Sequence, residues 1–186
     1  IPVKNTTLDS LNLGRYLNFL KKKKVNNVIL EASSHGLKQN RIDGLEISTA
    51  IFTNFSHDHL DYHKNLKDYL DSKLYLFNFL LKKNKTIITD RSIKEFKKLK
   101  NISKKKGLVL KTILDRKSDI KLMQHSYQGE KQNIKIKYKN KIYSFSVNLI
   151  GKIQIKNVFM SITDLNNSYL RIKSFLIFME CCLTKR

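Results

Sequence analysis

The stretch 49-TAIFTNFSHDHLDYH-63 joins a short apolar run to a cluster of three histidines and two aspartates. A continuous apolar run such as 49–56 predicts a strand buried inside a parallel sheet. Ligands of open α/β sheets bind at the carboxyl ends of the strands, which is where this polar cluster would lie. The stretch therefore predicts both a central strand and a functional site, which is a metal site, a catalytic site or a polar loop.

The segments around this stretch alternate between strand and helix. A second strand, buried on both faces, is predicted at 25–34 around an apolar run at 28–30. In the helix predicted at 65–83, Asn65 and Asp68 resemble a capping box. The other predicted elements are helices at 8–24 and 92–101 and a strand at 85–90.

This alternation predicts an α/β domain with a mainly parallel sheet flanked by helices. Beyond residue 107 the pattern changes, because apolar and polar residues alternate in three segments. These segments, which predict a small antiparallel β segment, are 108–114, 133–140 and 141–150.

The charge balance is strongly basic. The 186 residues contain 37 Lys and Arg against 15 Asp and Glu, a net charge of +22, which raises the question of nucleic acid. The lysines are spread from Lys4 to Lys185, and no aromatic residues interleave with their runs as a stacking platform would need. We therefore expect no nucleic-acid partner, and a basic nucleic-acid-binding module remains an alternative.

The location is predicted from what the sequence lacks. Cys181 and Cys182 are adjacent and cannot build a disulfide scaffold. The sequence has no apolar run of about 18 residues, and its first residues do not form a signal peptide. We expect a cytoplasmic monomer that binds no membrane.

Two strand ends and one helix carry candidate chemistry. Glu31 follows the first predicted strand and His59 follows the second, so neighbouring strands would bring both to one cation. The alternative for Glu31 is a solvated strand-end carboxylate. Lys73 falls within the apolar stripe of its helix, between Leu70 and Phe77, so it must snorkel to solvent, pair with an acid or be chemically altered.

A zinc site is the rival interpretation of the histidine cluster. His57, His59, Asp61 and His63 come close to the HxHxDH pattern of metallo-β-lactamase-like hydrolases, but Tyr62 stands where the pattern needs a histidine. Too few further ligands follow downstream to close a zinc site. The sequence also contains no GxxxxGK[ST] or GxGxxG loop to cradle phosphates.

Three motifs in order resemble the central, ATP-binding domain of Mur ligases. They are 31-EASSHGLKQNR-41, 53-TNFSHDHLDYH-63 and a helix that carries Lys73. Within the family, the resemblance is to the UDP-N-acetylmuramoyl-tripeptide synthetase (MurE) type, and it covers residues 3 to 160. It implies a P-loop-NTPase-like α/β fold.

The resemblance also implies roles for individual residues. Lys73 would be carbamylated by CO₂, and both Lys73 and His59 would be catalytic. The implied magnesium ligands are Glu31, His59 and Lys73, and the implied nucleotide-binding residues are Asn54 and Asn157. The implied substrate-binding residues are Asn5, Thr6, Thr7, Ser33, Gln39 and Arg41.

The implied activity is ATP-dependent and Mg²⁺-dependent formation of an amide bond through an acyl phosphate. The substrates would be a UDP-N-acetylmuramoyl dipeptide, ATP and a diamino acid, either diaminopimelate or lysine, in peptidoglycan synthesis. A related ligase such as folylpolyglutamate synthase is an alternative that shares the ATP site.

The chain departs from the family pattern at both ends. The family's P-loop and its UDP-binding domain would precede residue 1, so these residues alone are not expected to hydrolyse ATP at family rates. We expect the central domain to span 1–160 and a divergent or truncated tail to follow at 161–186, without a C-terminal amino-acid-binding domain. Gln154 replaces a family asparagine, and the Ala-rich helix expected after Phe159 does not appear in the sequence.

Overall fold

One mixed β-sheet organises the computed structural model, which describes residues 6–56, 61–129, 131–148, 151–168 and 174–179. The strands of this part of the chain are β1 Asn27–Ala32, β2 Thr49–Phe52, β3 Thr86–Asp90, β4 Val109–Leu114, β5 Ile120–Gln128, β6 Lys131–Tyr138, β7 Lys141–Val147 and β8 Ser174–Met179. The helices are α1 Ser10–Lys22, α2 Ser34–Lys38, α3 Leu66–Tyr75, α4 Phe96–Lys106 and α5 Lys152–Ser168. None of these helices combines the length and the hydropathy needed to cross a bilayer.

The strand order across the sheet is β1-β8-β2-β3-β4-β5-β6-β7. Every neighbouring pair from β1 to β5 is parallel, and the β5–β6 and β6–β7 pairs are antiparallel. The predicted mainly parallel sheet with a small antiparallel segment is therefore confirmed. Parallel strands bring their carboxyl ends to one edge, and this edge positions the candidate site.

Two hydrophobic clusters cover the two faces of the sheet. Along β2, Ala50 and Phe52 pack into one cluster, while Ile51 between them packs into the other. Ile87 and Ile88 of β3 divide in the same way. This division explains the continuous apolar runs of these strands, because side chains on both faces of each strand are buried in a hydrophobic core.

The first strand differs from its prediction. Strand β1 was expected to be buried on both faces, but Ile29 is 64% exposed. The prediction is wrong because β1 lies at the edge of the sheet and has β8 as its one strand neighbour in the described part of the chain. The apolar run at 28–30 could not distinguish an edge strand from a central one.

Strand β4 was predicted within the antiparallel segment and is instead parallel to both β3 and β5. Its consecutive residues Thr112 and Ile113 are both buried, because α4 packs on β4 and α5 also packs on it. The sequence patterns also missed β5, α2 and β8. Helix α5 runs to Ser168, so a helix continues beyond Phe159 although the Ala-rich sequence expected from the family is absent there.

The helix predicted at 65–83 consists of α3 and a π-helical turn, Leu76–Leu80, that continues from it. Leu70, Phe77 and Leu81 of the predicted apolar stripe are buried in the same cluster as Phe52. Helix α4 lies a few residues further along than predicted and ends at Gly107, whose φ of 64° is left-handed. Glycine suits such an end because it has no Cβ.

The start of α3 yields a stability prediction. The side chain of Asn65 accepts a hydrogen bond from the Asp68 backbone N–H at 2.9 Å, which satisfies one of the free donors of the first turn. We expect Asn65→Ala to lower the free energy of unfolding by about 1 kcal/mol, measured by urea denaturation. Asn65→Asp keeps an acceptor and is the control; an equal loss in both variants would contradict the cap.

Candidate functional site

A hydrogen-bonded cluster at the carboxyl end of β1 contains several of the predicted substrate residues. Thr7 is fully buried, and its hydroxyl donates to the Glu31 carbonyl oxygen at 2.9 Å. Thr7 Oγ1 also accepts from the Ser33 N–H at 2.8 Å and lies 3.0 Å from Ser33 Oγ. Ser33 Oγ also accepts from the Gly36 N–H at 3.1 Å, so Ser33 is the N-cap of α2.

Arg41 and Gln39 extend this cluster towards solvent. The Arg41 guanidinium donates from Nη1 to the Thr7 carbonyl oxygen at 2.6 Å and from Nε to Gln39 Oε1 at 2.8 Å. Gln39 Nε2 donates to the hydroxyl of Tyr62 at 3.0 Å. Thr6 is exposed beside this group. The structure therefore brings together Thr6, Thr7, Ser33, Gln39 and Arg41, while Asn5 lies outside the described residues.

Lys73 is buried deep in the domain. The residue is 1% exposed, so its ammonium group does not snorkel to solvent. Its Nζ lies 3.4 Å from the backbone oxygen of Asn54 and 4.9 Å from the centre of the Tyr69 ring. Asn54 follows β2, so Lys73 reaches the carboxyl edge of the sheet from α3.

The predicted metal ligands are described only in part. Glu31 is partly buried near the end of β1, and Lys73 approaches the end of β2. Strand β8 lies between β1 and β2, so the expectation that these two strands are neighbours is wrong. His59 and His57 fall in residues 57–60, outside the described part of the chain. Among the described residues, no group of three or more His, Cys, Asp and Glu side chains could hold a metal ion.

The end of β3 holds a charge pair that the sequence patterns missed. The Asp90 carboxylate is fully buried and accepts from the Ser92 N–H at 2.7 Å and from Ser92 Oγ at 2.8 Å. Lys156 Nζ lies 2.5 Å from Asp90 Oδ2. Lys156 precedes Asn157 in α5, so the pair fixes this part of α5 at the carboxyl edge of the sheet. A buried-strand aspartate in 85-KTIITD-90 was the available signal.

His63 makes a contact with helix α2 that the sequence patterns did not reveal. It is 2% exposed, and its Nε2 lies 2.9 Å from Ser34 Oγ, in helix α2. Its Nδ1 lies 3.4 Å from Asp68 Oδ2, in helix α3. Asp68 also pairs with Lys38. His63 is thus held within the protein, which removes it from the rival zinc set in this arrangement.

Burial lowers the pKa of His63 below its ordinary value of 6.5, although the Asp68 carboxylate acts in the opposite direction. Lys38 and His35 also face the ring and lower the pKa further. The hydrogen bond from Lys38 holds the pKa of Asp68 below 3.8, so Asp68 is an anion near neutral pH. A neutral ring with its proton on Nδ1 fits both neighbours, since the carboxylate accepts and the Ser34 hydroxyl can donate to Nε2.

Gly36 gives a test of how tightly the substrate cluster is packed. A Cβ at Gly36 would lie 2.7 Å from Thr7 Cβ and 2.9 Å from Thr7 Oγ1. We expect Gly36→Ala to lower the free energy of unfolding by about 1–3 kcal/mol, because Thr7 is buried and cannot move freely. Gly14→Ala in α1 is the matched control: its Cβ meets nothing within 4 Å, and we expect a gain of about 0.5–1 kcal/mol. Equal effects in the two variants, by urea denaturation, would contradict the packing.

His63 gives a pH prediction. Because its folded-state pKa lies below 6.5, the unfolded chain binds more protons below that pH. The folded state therefore keeps its full stability above pH 6.5. It loses stability as the pH falls from 6.5 towards the lower folded-state pKa of His63. We expect the free energy of unfolding to drop less between pH 7.5 and pH 5 in His63→Gln than in the wild type. The lowered carboxyl pKa of Asp68 acts below pH 3.8 and does not overlap. Equal slopes in both proteins would contradict the assignment.

Comparisons with known proteins place this geometry in a family. The family model described as Mur ligase middle domain matches residues 2–164. A UDP-N-acetylmuramoyl-L-alanyl-D-glutamate--2,6-diaminopimelate ligase of Wigglesworthia glossinidia brevipalpis is 35% identical over 167 residues, covering 87% of this chain and 33% of the relative. The ligase of the same name from Rickettsia bellii is 36% identical and covers 84% of this chain and 33% of the relative. The chain thus spans about one third of the length of these relatives.

Solved structures agree at the level of the fold. A structure of UDP-N-acetylmuramoyl-L-alanyl-D-glutamate--2,6-diaminopimelate ligase superposes with a TM-score of 0.77 at 24% identity, covering 89% of this chain and 34% of that chain. MurF ligase from Thermotoga maritima in complex with ADP superposes with a TM-score of 0.56 at 10% identity, covering 77% of this chain and 32% of that chain. The match of the family model over residues 2–164 shows that this chain belongs to the Mur ligase family, within its middle domain.

Proposed function

We propose that this chain is the ATP-using part of a ligase that adds 2,6-diaminopimelate to UDP-N-acetylmuramoyl-L-alanyl-D-glutamate in peptidoglycan synthesis. The observation that carries the proposal is the similarity, at 31–36% identity, to relatives that bear this ligase name. Their names favour diaminopimelate over lysine as the added amino acid. The substrates, a UDP-linked dipeptide and ATP, favour a cytoplasmic location.

The proposed reaction has two steps. The free carboxylate of the dipeptide attacks the γ-phosphorus of ATP, the bond to the bridging oxygen breaks, and ADP leaves behind an acyl phosphate. The amine of diaminopimelate then attacks the acyl carbon, loses a proton and displaces phosphate as the amide forms. Such phosphoryl transfer depends mainly on positioning and charge stabilisation, so the residues that hold both reactants matter most.

We assign the muramoyl dipeptide to the cluster around Arg41. The Thr7 and Ser33 hydroxyls are buried and already engaged with the Glu31 carbonyl and the Gly36 N–H. Thr6 and Gln39 are exposed, and Arg41 is partly exposed, so these three can offer donors to an anionic ligand. In this proposal Thr7 and Ser33 shape the site, and Asn5 joins it from the preceding segment.

We assign magnesium and nucleotide to the carboxyl ends of β1 and β2. Glu31, His59 and a carbamylated Lys73 would hold Mg²⁺, which when bound would neutralise charge on the transferring phosphoryl group. Support comes from the partly buried Glu31 carboxylate, a hard oxygen donor, and from the position of Lys73 behind Asn54. Asn54 and Asn157 would contact the nucleotide, and the Asp90–Lys156 pair would hold the part of α5 that carries Asn157.

Carbamylation of Lys73 explains why a lysine occupies this buried position. A neutral Lys73 amine attacks CO₂, a nitrogen–carbon bond forms, and the nitrogen releases a proton. The product is an anionic carboxylate in place of an ammonium cation. An ammonium group loses its hydration on burial, whereas a carboxylate beside bound Mg²⁺ would be stabilised by the charge of the metal.

The test removes the Lys73 amine in a ligase that joins this chain to the P-loop and flanking domains expected from the family resemblance. We expect Lys73→Met, which keeps the length of the stem, to lower ligase turnover by about 100-fold or more. The reason is that methionine cannot form the carbamate that would hold Mg²⁺ beside the transferring phosphoryl group. Lys82→Met, at an exposed lysine, should leave turnover unchanged. Turnover should also fall in CO₂-depleted buffer and recover on adding bicarbonate, in the wild type but not in Lys73→Met. Wild-type turnover of Lys73→Met would refute the assignment.

A further inference from the structure

His63 lies between two helices that carry different parts of the proposed site. Helix α2 begins at Ser34, whose Oγ is 2.9 Å from His63 Nε2, and Asp68 in the first turn of α3 is 3.4 Å from His63 Nδ1. Ser34 and His63 are separated by 29 positions in the sequence. The imidazole therefore connects two elements that the chain itself does not place side by side.

Aromatic rings fix the orientation of the His63 imidazole. The Tyr69 ring stacks on it with centroids 5.1 Å apart and an angle of 29° between the planes. The Tyr62 ring meets it edge-on at 5.1 Å, and the His35 ring lies 5.5 Å away. Rings from α2, α3 and the segment before α3 surround His63, so its two nitrogen atoms point at fixed partners.

The order Ser34, His63 and Asp68 has the same residue types as a serine hydrolase triad, but the geometry excludes that role. Ser34 is 0% exposed and lies at the start of a helix, so its hydroxyl cannot reach a substrate carbonyl. The group instead forms a partly buried polar network, with Ser34 Oγ at hydrogen-bond distance from Nε2 and Asp68 Oδ2 at a longer ion-pair distance from Nδ1.

One end of this network contacts the helix that leads to the proposed dipeptide-binding residues, and the other end lies near Lys73. Helix α2 and the turn after it carry Gln39 and Arg41, and Ser33 caps the helix. On the other side, the Tyr69 ring that stacks on His63 also lies 4.9 Å from Lys73 Nζ. A displacement of His63 would thus change the distance between the dipeptide-binding cluster and Lys73.

We propose that His63 is a positioning residue that holds α2 against α3 and so sets the distance between the muramoyl-dipeptide cluster and Lys73. The proposal rests on the proposed function for what the two ends bind. The contact itself, through Ser34 and Asp68, does not depend on that function. A test therefore needs one measurement of the contact and one of the reaction.

The first measurement is amide hydrogen exchange on the wild type and three variants. In His63→Ala we expect exchange to rise about tenfold or more at Leu37 and Arg41, whose N–H groups donate within and just after α2. Exchange at Ile88 of β3 should change less than about twofold. In His63→Gln the side-chain amide can still reach Ser34 Oγ, so protection of α2 should return.

His125→Ala is the matched control for the first measurement. This histidine also contacts a polar side chain, with Nε2 2.9 Å from Gln132 Oε1 in the antiparallel part of the sheet. It should leave α2 exchange unchanged. Unchanged α2 exchange in His63→Ala, or an equal rise in α2 and β3 without recovery in His63→Gln, would overturn the proposal.

The second measurement is steady-state ligation with UDP-N-acetylmuramoyl-L-alanyl-D-glutamate, ATP, Mg²⁺ and diaminopimelate, by a ligase that joins this chain to the P-loop and flanking domains expected from the family resemblance. We expect His63→Ala to raise the KM for the dipeptide about tenfold and to leave the KM for ATP within about twofold, with partial recovery in His63→Gln. Ser34→Ala should give the same change, and the double variant should be no worse, because both remove one contact. An unaltered KM for the dipeptide would overturn the positioning role. Absence of ligation by the wild-type ligase that joins this chain to the P-loop and flanking domains would refute the proposed function, and the exchange measurement would still decide the contact.

Discussion

The buried hydroxyl of Thr7 is the contact on which the rest of the candidate site depends. It joins three segments that are distant in sequence: the chain before α1, the end of β1 at Glu31 and the start of α2 at Ser33. A buried hydroxyl without partners costs about 1–3 kcal/mol, so these segments are stable only in the arrangement that satisfies it. Arg41 extends the same constraint, because its guanidinium donates to the Thr7 carbonyl. The absence of a side chain at Gly36 provides the space that Thr7 occupies.

The two-sided sheet supplies the frame for this contact. Because β2 and β3 send alternate side chains into two separate cores, their backbones are fixed from both faces. Their carboxyl ends can then hold costly polar groups, namely the buried Asp90 at the end of β3 and the Asn54 carbonyl after β2, which faces Lys73. Rigid strands with polar ends suit phosphoryl transfer, which requires two reactants at a fixed distance.

Local patterns in the sequence were sufficient for the central strands and for the place of Lys73 on the apolar face of its helix. Apolar runs identified β2 and β3, and the helical stripe included Lys73 but left open whether its ammonium group reaches solvent. The capping role of Asn65 was also visible, since its partner Asp68 is three residues away. Each of these features depends on residues within one or two turns of each other.

The features that the sequence did not reveal depend on distant partners. The exposure of Ile29 follows from the edge position of β1, and the order of the strands cannot be predicted from the sequence of any single segment. His63 and Ser34 belong to two different sequence motifs, and neither motif indicates that these side chains are in contact. Strand β5 was missed because its polar, half-exposed residues show no clear alternation. For such features, periodicity carries no signal, because the constraint comes from packing between elements.

The place of β8 has a consequence for how the chain folds. This strand enters the sheet between β1 and β2, and Asn27 pairs with Ser174, nearly the whole length of the chain away. Such a pairing has a high contact order, so forming it requires closure of a very large loop and is slow. During synthesis, β1 would leave the ribosome long before β8 exists, and the edge that β8 covers would be exposed to association with other chains. Strand β8, the last described segment, therefore sets the moment at which this edge of β1 becomes protected.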